Sequence, residues 1–513
     1  MADEQFLYAT PEEQAKELAV AGRPLHDLVA EIARLYTEDD RPWVIGYSGG
    51  KDSTTCIQLV FTALRMLDPE QLTKPVYVVS SNTLVETPLV IDLIAGTLQE
   101  LEAGARADGL PISAHQVVPK ANDSFWVNLL GRGYPAPTKA FRWCTERMKI
   151  DPVSDFIRDK VAQFGEVVVI LGSRSQESST RAQVIAKHRI DGSLLSRHTS
   201  LSNAYVYMPI ENWSADEVWE FLMSAPRPWG GDNRELLELY RGSNAGECPV
   251  VIDTSTPSCG NSRFGCWTCT VVTTDKAMES LVEQGEEWMR PLLDFRNLLA
   301  ETTDPAKKET YRNHRRRTGR VTYARGDVQD DSEGVKARKH IPGPYWLKYR
   351  QEWLQRLLEM EKSLADSGRP IELISREELH HIRREWLNDP NEPDWADSLP
   401  GIYHSVYGTD LDWIEHDGGL ISARDAQLLD DLSGEHALPQ GLTQKLIELE
   451  ISMDGLSRRR GLMDRMDRLL NQDWEALDAV KARHAASNDG GRLDDELAEL
   501  ENEAAALIER GPG

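Results

Sequence analysis

Four of the chain's six cysteines stand in one short stretch, CPVVIDTSTPSCGNSRFGCWTC, as Cys248, Cys259, Cys266 and Cys269. Four thiolates complete either a zinc site or a 4Fe–4S site. The spacing C-x10-C-x6-C-x2-C contains one close pair, whereas structural zinc commonly uses two. That tilts the reading modestly towards iron–sulfur and leaves both metals open. A second stretch, WVIGYSGGKDSTT, runs an apolar segment into Ser48-Gly49-Gly50-Lys51-Asp52-Ser53. Glycines let the backbone approach a ligand, and N–H groups at a helix start attract anions. With the donors of Ser48, Lys51 and Ser53 added, this stretch suits a phosphate or pyrophosphate. It is not a Walker A loop, G-x-x-x-x-G-K-S/T, because Gly46 is one residue too close to Gly50 and Asp52 follows the lysine. Nor does it fit G-x-G-x-x-G.

Two further cysteines lie elsewhere. Cys144, in FRWCTERMK, is flanked by Arg142, Arg147 and Lys149. Cations lower a thiol's pKa, so a reactive thiolate that could accept and deliver sulfur is expected there, with a metal ligand or a buried structural cysteine as the competing readings. Cys56 falls on the apolar face of the helix that follows the phosphate loop and reads as core.

The elements that must position these groups follow from the apolar pattern. Runs at 42–47, 75–80, 112–118, 166–171 and 204–210 read as strands. The segments between the first four are long enough for crossover helices; in one, Cys56, Leu59, Val60 and Ala63 share a face. Alternating strands and helices imply an α/β fold with a doubly wound, mainly parallel sheet. Arg174 and Arg181, in GSRSQESSTRA, follow the C-terminal end of the fourth strand, where such sheets bind ligands. Their guanidinium forks suit phosphate oxygens, unless one pairs with Glu177.

The expected organisation is an N-terminal helical segment (1–40), a nucleotide domain (41–225), a cysteine-rich region (226–280) and a mostly helical C-terminal region (281–513). Pro226, Pro228, Gly230 and Gly231 mark the first change of pattern. In YWLKYRQEWLQRLLEM, Trp346, Tyr349, Trp353, Leu357 and Met360 have helical spacing and read as core. Residues 327–344 read as a linker, and Leu446, Leu449, Met453 and Leu456 as a stripe that Arg460 interrupts. SNDGG at 487–491 reads as a turn between two final helices.

The net charge of -26 opposes nucleic-acid binding by bulk electrostatics. A local exception is KKETYRNHRRRTGR (307–320), either a phosphate-binding patch or a solvated face. No apolar run approaches the ~20 residues of a membrane span. The acidic N-terminus lacks a signal-peptide pattern, so a cytoplasmic protein without membrane contact is expected. In that reducing setting clustered thiols point to metal or catalysis.

At SGGKDS the sequence resembles the PP-loop motif of ATP pyrophosphatases. Within that superfamily GSRSQESSTRA, RWCTERMKIDP (142–152) and MPIENWSADEVWEFL (208–222) resemble the phosphoadenylylsulfate reductase branch, in the expected order over about residues 40–225. With the cysteine loop and the helical C-terminal part, most of the chain resembles the DndC family, sulfurtransferases of bacterial DNA phosphorothioation. The resemblance implies a 4Fe–4S cluster on Cys248, Cys259, Cys266 and Cys269. It also implies ATP cleavage to AMP and pyrophosphate on residues 48–53, and replacement of a DNA phosphate oxygen by sulfur. Lys51, Asp52, Arg174, Arg181 and a Mg²⁺ ion would act on the phosphates, with Cys144 as sulfur carrier. The partners implied are DNA, a cysteine desulfurase as sulfur donor and other phosphorothioation proteins. Two readings compete: the same chemistry on another acceptor (tRNA, a small molecule or single-strand DNA phosphorothioation), and a non-catalytic nucleotide-sensing scaffold.

Overall fold

A computed structural model describes residues 19–20, 22–177, 179–242, 265–324, 329–330, 336–337, 340–414, 423–436, 439–453, 461–475 and 477–487. The chain forms two compact units. One draws on Met1–Asn128, Ala136–Thr303 and Arg356–Leu379, the other on Leu129–Pro135, Asp304–Gln355 and His380–Gly513.

The first unit is built on strands β1 (Trp43–Tyr47), β2 (Val76–Ser81), β3 (Ile112–Val117), β4 (Val167–Ile170), β5 (Ser196–Arg197) and β6 (Ala204–Tyr207). They form one sheet in the order β3-β2-β1-β4-β6-β5, parallel except for β5 against β6. All five anticipated runs are strands; the edge strand β5 is additional. Every residue of WVIGY is buried, as a central parallel strand covered on both faces requires. Trp43, Ile45 and Tyr47 face one core and Val44 the other.

The first core receives α1 (Leu25–Thr37), α2 (Lys51–Arg65) and α3 (Pro88–Ala107); the second receives α4 (Asp151–Phe164). Helix α1 buries Leu25, Leu28, Val29, Ile32, Leu35 and Tyr36, the stripe of an amphipathic helix. Helix α2 is buried from Lys51 to Leu64, so even its polar first turn is interior, and Cys56 is a core residue as expected. Further helices are α5 (Ser179–His188), α6 (Ala215–Ser224), α7 (Arg234–Gly242), α8 (Lys276–Glu283) and α9 (Arg290–Glu301). Helix α6 starts with a reciprocal capping box: Glu217 N–H donates to the Ser214 hydroxyl and Ser214 N–H to the Glu217 carboxylate.

The rest of the chain is mainly helical: α10 (Leu347–Asp366), α11 (Arg376–Leu387), α12 (Ser398–Tyr407), α13 (Ala423–His436), α14 (Gln440–Ser452), α15 (Leu462–Leu470) and α16 (Leu477–Ser487). Trp353, Leu354, Leu357 and Leu358 of α10 are buried. In the second unit Arg350 donates to the Gly131 carbonyl at 2.7 Å and pairs with Asp389 at 3.0 Å. There too the Trp386 indole donates to the Leu130 carbonyl at 2.7 Å. Within the anticipated 327–344 linker, the described residues form only two-residue pairings. Leu456, Arg460 and most of SNDGG lie outside the described residues. No helix among the described residues is long and apolar enough to cross a membrane.

Strands β1 and β4 are neighbours, so the segments leaving their C-terminal ends must pass close together. A Cβ on Gly172, just beyond β4, would stand 2.7 Å from the Asp52 carbonyl carbon and 2.8 Å from its oxygen. Both are backbone atoms and cannot swing away. Gly172→Ala is expected to lose about 1–3 kcal/mol, read as a lowered thermal midpoint. An unchanged midpoint would contradict this contact.

Candidate functional site

From β1 the chain proceeds to β2 and β3 on one side, then returns to β4 on the other. The C-terminal ends of β1 and β4 therefore flank the point where a doubly wound sheet opens its crevice. Two sequence-predicted groups meet there. Gly49 adopts φ +73°, in the left-handed region, and a Cβ on it would lie 2.7 Å from Ile94 Cγ1. Gly50 is extended and α2 begins at Lys51. Ser48 N–H donates to Ser53 Oγ at 3.3 Å, and the two hydroxyls lie 3.2 Å apart. The Ser53 and Thr54 hydroxyls both donate to the Gly50 carbonyl, at 3.0 and 2.9 Å. Lys51 N–H donates to the Tyr240 hydroxyl at 3.2 Å.

The charged side chains form a buried triad. Asp52 accepts from Lys51 Nζ at 2.9 Å on one oxygen and from Arg174 Nε at 2.7 Å on the other. Arg174 is 1 % exposed, Lys51 2 % and Asp52 8 %. Arg174 also reaches the Trp213 carbonyl at 3.4 Å, and Ser175 donates to the Glu211 carbonyl through both its N–H and its hydroxyl. Arg174 thus pairs with Asp52, a partner that sequence reasoning did not name. Two cations around one carboxylate leave a net positive charge at a helix N-terminus, an arrangement suited to a polyphosphate. Arg181 falls on α5, and its side chain is outside the described ones.

The thiols gather on the loop after β2. Ser81 donates to the Met148 carbonyl at 3.0 Å, fixing the segment that carries Cys144. Glu86 pairs in antiparallel fashion with Cys266, Trp267 N–H donates to the Val85 carbonyl, and Thr87 donates twice to the Gly265 carbonyl. Cys266 Sγ lies 3.3 Å from the Thr83 hydroxyl. Cys269 N–H donates to the Cys266 carbonyl at 3.1 Å, and Arg296 holds the Cys269 carbonyl at 2.8 Å. Lys149 pairs with Glu86 at 3.6 Å and Arg147 with Asp123 at 2.6 Å.

Cys144, far from Cys266 and Cys269 in sequence, lies near enough for the three thiols' charges to interact. Burial, then Cys266 and Cys269, push the Cys144 thiol up to about 12 against the opposing pull of Lys149. Burial and the neighbouring thiols here outweigh the lowering by Lys149. Burial likewise pushes Cys266 up to about 11 and raises Glu86, with Lys149 opposing both. Thr83, Glu86 and Tyr240 were not anticipated. For Thr83 and Glu86 the available signal was their place just past a parallel strand; Tyr240 had none.

Among the described residues no three Cys, His, Asp or Glu side chains form a site for a metal ion. Cys248 and Cys259 lie outside the described residues. The donor chemistry of the described part nonetheless fits a thiolate-bound metal. Cys266 and Cys269 are joined by one short turn, and Cys266, whose pKa burial raises, gains from an adjacent metal cation that favours its thiolate.

The basic patch is largely committed within its own unit. Arg312 donates to the carbonyls of Gly343 and Pro342, and burial lowers its pKa to about 10. Arg317 donates to the Arg132 carbonyl at 3.0 Å and pairs with Glu385 at 3.3 Å. Arg315 lies over the Trp474 ring, 5.5 Å from its centroid. Lys307 and Arg316 are exposed.

In metal-free protein, alkylation of Cys144 by iodoacetamide should be slow at neutral pH. It should still be accelerating well above the ordinary thiol range of about 8.5, because the thiolate fraction grows only as pH approaches the raised pKa. Lys149→Met should slow it further. Peptide mass spectrometry reads the rate, and a plateau near the ordinary range would contradict the buried setting.

Comparison with known proteins matches residues 42–272 to the phosphoadenosine phosphosulfate reductase domain. An uncharacterized protein of Methanocaldococcus jannaschii is 27 % identical over 198 residues, 39 % of this chain and 35 % of that protein. The chain thus spans about a third of that relative's length. Among solved structures, Candida glabrata FMN adenylyltransferase with FAD and pyrophosphate shows 12 % identity and a TM-score of 0.26 over 43 % of this chain and 65 % of that one. The U34-tRNA thiolase NcsA of Methanococcus maripaludis, with its 4Fe–4S cluster, shows 13 % identity and a TM-score of 0.24 over 54 % and 81 %. The match covers the sheet, the phosphate loop, Arg174, Cys144 and the Cys266–Cys269 turn, so residues 42–272 are similar to a phosphoadenosine phosphosulfate reductase domain.

Proposed function

We propose that the chain is an ATP-dependent sulfurtransferase that converts DNA backbone phosphates into phosphorothioates. The observation that carries this reading is one domain holding both halves of the chemistry. The Lys51–Asp52–Arg174 triad joins the phosphate loop to the segment after β4, and Cys144 lies near the Cys266-x-x-Cys269 turn that pairs with the loop after the neighbouring strand β2. The domain's family uses adenylated substrates and nucleotides, and the extent of the sequence resemblance supplies DNA as acceptor.

In this reading residues 48–53 hold the β- and γ-phosphates of ATP, with Lys51 and Arg174 drawing off developing charge. A Mg²⁺ ion arriving with ATP would be held by Asp52 and phosphate oxygens, and it would neutralise charge there. A non-bridging DNA phosphate oxygen attacks the α-phosphorus, the bond to the bridging oxygen breaks, and pyrophosphate leaves. The terminal sulfur of a persulfide on Cys144, loaded by a cysteine desulfurase, then attacks the activated DNA phosphorus. AMP leaves with the original oxygen. One external thiol attacks the Cys144 sulfur, releases the phosphorothioate and forms a mixed disulfide with Cys144; a second thiol regenerates Cys144 and leaves as the external disulfide. A 4Fe–4S cluster on Cys248, Cys259, Cys266 and Cys269 would supply Lewis-acid or electron-transfer chemistry beside that carrier. Because most patch arginines are engaged internally and the chain carries -26, the reading gives DNA presentation to a partner phosphorothioation protein.

The test combines purified protein, ATP, DNA, a cysteine desulfurase, cysteine and a thiol reductant. Pyrophosphate release and phosphorothioate dinucleotides are both measured, the latter by mass spectrometry. Arg174→Ala should lower pyrophosphate release about 100- to 1,000-fold. Cys144→Ser should keep pyrophosphate release and abolish DNA sulfur. Anaerobic protein should carry about four irons and four labile sulfides per chain; one tight zinc instead would sink the cluster. Sulfur found in tRNA but not in DNA would move the activity to another acceptor. No pyrophosphate under any condition would favour the scaffold.

A further inference from the structure

The phosphate loop carries a contact that the proposed chemistry does not use. Lys51 is the first residue of α2, and its N–H is among the donors an incoming phosphate oxygen would seek. In the structure that N–H donates to the Tyr240 hydroxyl at 3.2 Å. The Tyr240 ring centroid also lies 5.9 Å from Lys51 Nζ, so both the hydroxyl and the ring are directed at the same residue. One N–H hydrogen cannot fully serve a tyrosine hydroxyl and a phosphate oxygen together. The tyrosine oxygen and an anion therefore compete for it.

Tyr240 is not placed there loosely. It is 8 % exposed, belongs to the core around β1, and its ring meets that of Trp219 edge-on at 5.0 Å. Trp219 lies on α6, whose start is fixed by the capping box. The start of α7 is held by Asn233, which accepts from Gln58 of α2 at 2.9 Å and donates to the Leu222 carbonyl at 2.8 Å. Tyr240 sits near the other end of α7, two residues before Gly242. The helix is thus anchored at one end, and its hydroxyl-bearing end meets the phosphate loop.

We propose that Tyr240 is a positioning residue that competes with bound phosphate for the Lys51 N–H, and so speeds pyrophosphate release after ATP cleavage. This rests on the reading that residues 48–53 hold a pyrophosphate. Anion binding turns the Lys51 N–H from tyrosine to phosphate, and when the anion leaves the hydroxyl restores the hydrogen bond. The loop's donors then stay satisfied between turnovers, at the expense of affinity for the product.

The experiment is calorimetric titration of the full-length protein with inorganic pyrophosphate, with stopped-flow measurement of its dissociation. Tyr240→Phe keeps the ring against Trp219 and removes only the hydroxyl. Pyrophosphate should bind about three- to tenfold more tightly to this variant, through slower dissociation, with the unliganded protein melting only slightly lower for the one lost hydrogen bond. Tyr240→Leu, which also removes the ring, should bind more tightly too but melt lower. Lys51→Ala should bind more weakly than wild type. Equal or weaker binding by Tyr240→Phe, with Lys51→Ala still impaired, would overturn the competition and leave the phosphate site standing. If wild type, Tyr240→Phe and Lys51→Ala all fail to bind pyrophosphate, or bind it equally, the phosphate reading itself falls and takes this inference with it.

Discussion

The carboxylate of Asp52 holds two otherwise incompatible groups together. Lys51 and Arg174 are almost completely buried, and each would cost several kcal/mol to desolvate alone. Placed side by side without a counter-ion they would also repel. Asp52 takes one on each oxygen, at 2.9 and 2.7 Å, and in doing so ties the loop after β1 to the loop after β4. That tie is possible only because two glycines remove Cβ atoms where the chain paths converge, Gly49 against Ile94 and Gly172 against Asp52. The positive crevice thus follows from parallel adjacency of β1 and β4, two missing side chains and one acid.

The thiol cluster depends on the same sheet one strand away. The loop after β2 supplies Thr83 and Glu86; the Cys266 turn hydrogen-bonds to it, and the Cys144 segment hydrogen-bonds to Ser81 at the end of β2. Its electrostatics run opposite to those of the phosphate loop. The cations near Cys144 are engaged by carboxylates, Arg147 by Asp123 and Lys149 by Glu86, while burial first of all raises Cys144 and Cys266. Such thiols are poor nucleophiles by themselves. They become useful when positive charge is added or when sulfur is delivered already as a persulfide, whose terminal sulfur needs no deprotonated carrier thiol. One fold therefore places two buried cations on a single acid one strand away from a group of thiols with raised pKa values.

Much of this was legible in the sequence, and the limits have physical causes. The five principal strands announced themselves as apolar runs, because parallel strands covered on both faces are continuously hydrophobic. The edge strand β5, Ser196–Arg197, is too short and polar to leave such a signal. Ser48–Ser53 could be placed because a strand–glycine–helix transition is local. The Arg174–Asp52 pair could not, since it joins positions 122 residues apart through strand order alone. The same holds for Cys144 beside Cys266, where flanking charges suggested activation and tertiary burial decides the opposite. The arginines at 312–317 looked available because sequence does not show unpartnered loop carbonyls. The chain instead uses these guanidiniums to satisfy Pro342, Gly343 and Arg132.

That use of arginine bears on what can approach the chain. The chain has 58 basic against 84 acidic residues, and several of its cations are interior: Lys51 and Arg174 on Asp52, Arg350 on Asp389, and Arg296 on the carbonyls of Cys269 and Thr273. A buried, paired cation contributes little to the field outside, whereas surface carboxylates contribute fully apart from screening by salt. The strongly acidic balance of the chain is therefore not offset by these interior cations, while the Lys51–Asp52–Arg174 group keeps a local positive excess. Such a molecule favours a small polyanion that fits the crevice over a long one that must lie along its surface. An extended polyanion such as DNA would need added positive charge to approach. In the proposed function this is the physical ground for giving DNA contact to a partner and nucleotide chemistry to this chain.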